Sequence, residues 1–146
     1  MATVKWSAAV ASLGNVLTTE LNALANAAYS AIGSEIDNGG ANLNKYFWLE
    51  LNLGSLTPGA NPTVQIFATL APSGNYEDPP SATNSGYPMS LGSFPIATGT
   101  GTKRVTVPAF QLPPMKIKFV LLNSAGVALA ATGNTLTLYA ANDAVN

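Results

Sequence analysis

Acidic side chains are the first residues to consider for general acid–base chemistry or cation binding, because the sequence contains no His and no Cys. Without imidazole the commonest general base is missing, and without thiol there is no thiolate nucleophile, zinc–thiolate site or disulfide. The adjacent acids Glu77 and Asp78 point in opposite directions in an extended loop. Glu35 and Asp37 can share one face of a strand, but no acidic loop supplies the remaining oxygens that Ca²⁺ needs. The sequence therefore predicts no catalytic residue, no metal site, no cofactor and no enzymatic activity.

Aromatic side chains are the second group with a possible function. Tyr46 and Trp48 alternate with Phe47 and Leu49, which places both on the polar side of a strand. Exposed aromatic rings there could stack on a sugar or contact a protein partner, or they could simply cover the sheet beneath the N-terminal segment. The sugar interpretation is the weaker one, because the polar groups expected beside a saccharide are not evident. The candidate partner-contact residues are Trp6, Tyr46, Trp48, Tyr76 and Tyr87.

The charge content is unusually low. Lys and Arg number 6, Asp and Glu number 7, and charged residues make up 9% of the chain, compared with about 25% in average proteins. So few cations argue against a nucleic-acid partner, and no apolar stretch is long enough to predict a membrane span. The start of the chain is a poor signal peptide, so we expect synthesis in a reducing cytoplasm without targeted secretion. Low charge and open strand edges also predict self-association as a homotrimer or homodimer.

Period-two alternation predicts the elements that must position these residues. It predicts strands at 47–53 and 64–70, as antiparallel neighbours across a short loop, and further strands at 103–107, 117–121, 127–131 and 135–139. Pro108 suggests a strand end, a bulge or an edge. The N-terminal region predicts a short strand at 3–7, a helical turn within 19–25 and a strand at 29–36, while 142–146 reads as a fraying tail.

About eight strands and at most one short helix predict an all-β, antiparallel β-sandwich of jelly-roll type. We expect one domain, residues 1–146, with an N-terminal segment at about 1–15 and a long Pro-rich loop at about 72–95. That loop is either functional or a crossover between the sheets. The predicted core contains Phe47, Leu49, Ile66, Phe119 and Leu138.

Five segments carry a resemblance to a known group of proteins. They are MATVKW (1–6), LTTELNALA (17–25), GNYED (74–78), LPPMKIKF (112–119) and GNTL (133–136). In overall pattern the chain resembles the small β-sandwich virion structural proteins of tailed bacteriophages, often placed among capsid decoration or cement proteins. The resemblance implies a symmetric oligomer on the outer capsid surface of the virion, with the major capsid protein as its partner, that stabilises the shell by bridging capsid subunits. The alternative is a tail or other virion component with a glycan- or protein-binding face.

Overall fold

The computed structural model of the chain describes residues 4–8, 10–40, 43–84 and 88–145. Along this part of the chain there are ten strands and one turn of 3₁₀ helix, Thr19–Leu21. The strands are β1 (Val4–Trp6), β2 (Ala11–Leu17), β3 (Ile36–Asp37), β4 (Tyr46–Leu56), β5 (Thr63–Ala71), β6 (Met89–Pro95), β7 (Gly101–Phe110), β8 (Lys116–Ser124), β9 (Thr135–Ala141) and β10 (Asp143–Val145). No helix in the described ranges has the length and apolar character needed to cross a membrane.

Eight of the strands form two antiparallel sheets that pack face to face. Sheet I has the order β2-β9-β4-β7 and sheet II the order β3-β8-β5-β6, while β1 and β10 pair separately as a two-stranded ribbon. Six of the seven connections in the series from β2 to β9 cross between the sheets, and only β5 and β6 are sequential neighbours in one sheet. This is the strand order of a jelly roll. The predicted all-β, jelly-roll-like antiparallel sandwich is confirmed, and the terminal ribbon brings the strand number to ten.

One hydrophobic core lies between the two sheets. Alternate residues of β4, β5, β8 and β9 are buried, as the period-two pattern predicts. The five predicted core residues, Phe47, Leu49, Ile66, Phe119 and Leu138, are all 0% exposed. They belong to a single cluster that draws side chains from both sheets.

The predicted pairing of the strands at 47–53 and 64–70 is wrong. The first lies in β4, which pairs with β7 and β9, whereas the second lies in β5, which pairs with β6 and β8. Residues 57–62 therefore cross from one sheet to the other. Alternation identifies the buried face of a strand. It does not show whether two strands that contribute to the same core are neighbours in one sheet or lie in the two facing sheets.

The Pro-rich loop is shorter than predicted, because residues 89–95 form strand β6. This strand is an edge strand that hydrogen-bonds only to β5. Pro95 is the last residue of this strand. An edge strand tolerates proline because the backbone on one of its sides makes no inter-strand hydrogen bonds. The described residues of the loop are 72–84 and 88. Likewise, Pro108 lies in the edge strand β7, where the pairing register with β4 shifts, as its sequence context suggests.

The N-terminal segment expected at about 1–15 overlaps a strand of the sandwich, because residues 11–17 form β2 of sheet I. The helical turn ends at Leu21, since Ala23 and Ala27 have left-handed backbone angles with φ of 53° and 60°. Their N–H groups donate to Ala130 O and Asn123 O at 2.9 and 2.7 Å. Tertiary hydrogen bonds thus override the helical spacing of the apolar residues.

Three further strand assignments change. The predicted strand at 29–36 is reduced to a bridge between Tyr29 and Leu122 and to the two residues of β3. Residues 127–131 are not a strand, because the buried Asn123 amide donates to Val127 O at 2.9 Å and fixes that segment as a loop. Residues 143–145 do not fray but form β10.

Candidate functional site

Trp6 is held over the outer face of sheet I by the terminal ribbon. β1 pairs with β10 so that Trp6 lies opposite Asp143, and both the N–H and the hydroxyl of Ser7 donate to Asn142 O. The Trp6 ring centroid lies 5.1 Å from that of Tyr46, edge-on, and 6.1 Å from that of Trp48. Trp6 nevertheless remains 58% exposed.

The structure therefore brings together three of the five predicted partner-contact residues. We refer to Trp6, Tyr46 and Trp48 as the aromatic cluster. Both interpretations made from the sequence have a structural counterpart here: the N-terminal segment does cover part of the sheet, and the ring that covers it is itself largely open to solvent.

Two open grooves flank the Trp6 ring. The larger has a volume of about 500 Å³ and is lined by Trp6, Ala8, Val10, Trp48 and Ala141. The smaller, of about 280 Å³, is lined by Lys5, Trp6, Tyr46 and Asp143. Both grooves thus present aromatic walls that are accessible from solvent.

Lys45 and Asp143 form an ion pair at the smaller groove. Lys45 Nζ lies 2.8 Å from Asp143 Oδ2 and 5.1 Å from the centroid of the Tyr46 ring. This hydrogen bond raises the pKa of Lys45 and lowers the pKa of Asp143. The two charges neutralise each other beside the cluster.

Polar side chains continue the outer face of sheet I beyond the aromatic cluster. Trp48 lies opposite Tyr139, and the next outward residue of β4, Glu50, lies opposite Thr137 on β9 and Thr106 on β7. One further step along β4, Asn52 lies between Thr135 and Arg104. We refer to these two cross-strand sets as the polar rows: Asn15, Thr137, Glu50 and Thr106 in the first, and Thr135, Asn52 and Arg104 in the second.

Hydrogen bonds fix the side chains of the polar rows. Arg104 donates to Glu50 Oε1 at 3.1 Å and to Asn52 Oδ1 at 3.3 Å, and Asn52 Nδ2 also donates to Glu50 Oε1 at 3.0 Å. Thr137 Oγ1 donates to Asn15 Oδ1 at 2.7 Å. The sequence shows each of these residues at an outward strand position, but it does not show which strands are neighbours, so the rows could not be assembled from it.

Tyr76 lies elsewhere, on the outer side of sheet II. Its hydroxyl donates to Glu35 Oε2 at 2.8 Å, Lys116 Nζ lies 2.9 Å from Glu35 Oε1, and Lys118 Nζ lies 4.5 Å from the centroid of the Tyr76 ring. The hydrogen bonds from Lys116 and, to a smaller extent, from Tyr76 lower the pKa of Glu35. Burial, reinforced by the Glu35 carboxylate, raises the pKa of Tyr76. These contacts tie the Pro-rich loop to the surface of sheet II.

The remaining candidates do not add to either group. Tyr87 lies outside the described residues. Glu77 accepts a hydrogen bond from Leu70 N of β5 at 3.0 Å, and Asp37 accepts one from Gly39 N in the turn after β3 at 2.8 Å, so both carboxylates bond to nearby backbone. Within the ranges described here, no group of three or more acidic side chains is placed to hold a metal ion.

No protein-family model matches the chain, and no curated protein sequence matches it.

Proposed function

We propose that this chain is a structural virion protein that binds the outer shell of a phage capsid and stabilises it by bridging neighbouring capsid subunits, without chemistry. The resemblance of the five segments supports this assignment, and so does a jelly-roll body of the kind that viral capsid proteins use. The observation that carries it is the Pro-rich loop, which is tied across sheet II in the isolated chain.

The loop has the properties of a contact surface that is ordered in advance. Tyr76 and Glu77 anchor it to Glu35 and to the backbone of β5, and its prolines restrict the backbone further. On either side of these two anchors, residues 72–75 and Asp78 are exposed to solvent. A segment that is already ordered loses less conformational entropy on binding, so more of its contact energy appears as affinity.

The sandwich supplies the rigidity that a clamp requires. A filled DNA shell is under outward pressure, and a protein that bridges its subunits must resist shear. The close-packed core between the sheets and the continuous ladders β2-β9-β4-β7 and β3-β8-β5-β6 provide this resistance.

The proposed homotrimer or homodimer must form through faces and loops, because the sheet edges are poorly suited to strand addition. The register of β2 shifts twice against β9, β7 carries Pro108 at a register shift, β6 ends at Pro95, and β3 has two residues. Bulges, prolines and short strands at an edge all hinder pairing with another chain. The low charge of the chain remains the argument for burying part of its surface in an assembly.

The alternative proposal is a tail or other virion component with a glycan- or protein-binding face. The exposed aromatic cluster beside the polar rows favours it. Copy number per particle separates the two proposals, since a shell protein is present on every capsomer and a tail component only at one vertex.

Thermal release of DNA from purified particles tests the proposed function. Particles that lack the protein are expected to assemble but to release DNA at a lower temperature, and adding back the protein should restore the wild-type value. Tyr76→Ala, which releases the loop, should restore it poorly, whereas Thr137→Val on sheet I is the matched control and should restore it fully. Depleted particles that release DNA at the wild-type temperature would contradict the proposal.

A further inference from the structure

We infer that the outer face of sheet I is a binding site for an uncharged oligosaccharide, with the aromatic cluster contacting one pyranose ring and the polar rows bonding to the hydroxyls of its neighbours. This inference does not rest on the capsid role proposed above, and it names the ligand class for the glycan-binding face of the alternative proposal. In the capsid arrangement proposed above, this face is on the side of the sandwich opposite the loop, where it would point away from the shell.

The aromatic cluster has the geometry that a sugar ring requires. A pyranose presents apolar C–H groups on its faces and hydroxyls around its rim, so it binds where a flat apolar wall adjoins hydrogen-bonding groups. Trp6 is 58% exposed, and the groove that it shares with Trp48 has a volume of about 500 Å³. That volume lies within the range of small-molecule sites, roughly 300–1,000 Å³.

The polar rows lie at a suitable spacing from the cluster. Outward side chains two residues apart on a strand are separated by roughly 7 Å, so Glu50 and then Asn52 follow Trp48 along the strand within reach of later units of an extended oligosaccharide. In the sequence alone, no polar side chains were evident beside the aromatic residues, so the sugar interpretation was the weaker one. The register of β4 with β7 and β9 now supplies them.

The rows are also organised before a ligand arrives. The bonds among Arg104, Glu50 and Asn52 hold three planar polar groups in one arrangement. Arginine has about five N–H donors, and the Arg104 side chain is 68% exposed, so it has donors left for a ligand. Fixed side chains lower the entropy cost of binding.

The charges of this face favour an uncharged ligand. Lys45 is paired with Asp143 at 2.8 Å and Arg104 with Glu50 at 3.1 Å. Only Lys5, at the rim of the smaller groove, adds a cation to the described part of this face. An acidic or phosphorylated ligand would normally be met by several unpaired basic side chains.

A protein partner fits the same face less well. The blunted edges of β2 and β7 hinder strand addition, and the core of a protein interface is depleted of charged side chains. Here the apolar surface is confined to one end, and the paired charges and hydroxyls of the polar rows occupy the middle of the sheet.

Tryptophan fluorescence gives a direct test, because the chain has two tryptophans and both belong to the aromatic cluster. The probes are hexasaccharides of glucose (β1,4- and α1,4-linked), of N-acetylglucosamine and of mannose, with a galacturonic acid hexamer as the charged comparison. We expect at least one neutral hexasaccharide to produce a saturable change in emission and to bind more tightly than the charged hexamer.

Variants locate the binding. Asn52→Ala and Thr137→Val retain both tryptophans and should each weaken binding several-fold, and Trp48→Ala, followed by calorimetry, should weaken it about tenfold or more. Tyr76→Phe, on sheet II, is the control and should bind as the wild type does. If Trp48→Ala fails to fold, the two polar variants still report on the site.

Three results would overturn the inference. The first is no saturable change with any neutral hexasaccharide, and the second is tighter binding of the charged hexamer. The third is sugar binding that survives in Trp48→Ala and Asn52→Ala while those variants lose self-association or capsid binding, which would make this face a protein interface. Capsid stabilisation is measured separately by DNA release, so the failure of one proposal is distinguishable from the failure of the other.

Discussion

Phe119 is the side chain whose removal tests the shared core most sharply. It lies on β8 in the interior of sheet II, is 0% exposed, and belongs to the cluster that also contains Phe47 and Leu49 of sheet I. Replacing a buried Phe with Ala removes its transfer free energy and leaves a cavity, at a cost of about 3–5 kcal/mol. Phe119→Ala should therefore remove a large part of the roughly 5–15 kcal/mol that stabilises a typical domain.

Urea denaturation followed by circular dichroism measures this cost. With a slope of about 2 kcal/mol per M, the midpoint should fall by roughly 2 M while the slope stays unchanged. The matched control is Phe67→Ala on the neighbouring strand β5. Phe67 points outward and packs on Tyr29 with ring centroids 6.1 Å apart, so its loss should cost about 1–2 kcal/mol. A cost below about 1 kcal/mol for Phe119→Ala would refute its place in the core.

Three other predictions concern the loop, a close backbone contact and the ribbon. Because the pKa of Tyr76 is raised, the stability that this group contributes is present below the ordinary tyrosine pKa and is lost as the pH rises through the raised pKa. Ultraviolet difference titration should show one tyrosine that ionises late, and Tyr76→Phe should remove it. A titration curve that is the same in wild type and Tyr76→Phe would contradict the bond to Glu35. Gly33→Ala should destabilise the fold by about 1–3 kcal/mol in urea denaturation, because the added Cβ would overlap Val16 O. An unchanged free energy of unfolding would show that Gly33 and Val16 O are not in close contact. Trp6→Ala should accelerate amide hydrogen exchange in β1 and β10 while β5 and β8 stay protected, and equal exchange in wild type and variant would show that the ring does not hold the ribbon.

The sequence was sufficient for the fold class but not for the strand neighbours. Alternation in 47–53 and 64–70 correctly identified the buried residues Phe47, Leu49 and Ile66, because burial on one face is a local property of a strand. The same pattern misassigned β4 and β5 as partners, because pairing in a jelly roll is set by long-range crossovers that leave no local mark.

Irregular segments were predicted least well, and the reason is again long-range bonding. The buried amides of Asn123 and Asn134 donate to Val127 O and Ala130 O, which turns an apolar run into a loop. Helical spacing near Leu21 was overridden by hydrogen bonds that the N–H groups of Ala23 and Ala27 donate to distant carbonyls. No pattern within either segment reveals such partners.

The candidate site was predicted in part. The outward position of Tyr46 and Trp48 followed from alternation along the strand. The sequence could not show that Trp6 packs on both rings, because that contact depends on pairing between the two ends of the chain. Nor could it show that Tyr76 is committed to Glu35 on the other sheet.

A reconstruction of the purified phage particle by electron cryo-microscopy, at a resolution that shows strands, tests the central proposal most directly. The account predicts jelly-roll density on the outside of the capsid shell, bridging neighbouring capsid subunits, with residues 72–84 against the shell and the aromatic cluster facing outward. Density for this chain in the tail, or on the capsid at sites that join no two subunits, would contradict it.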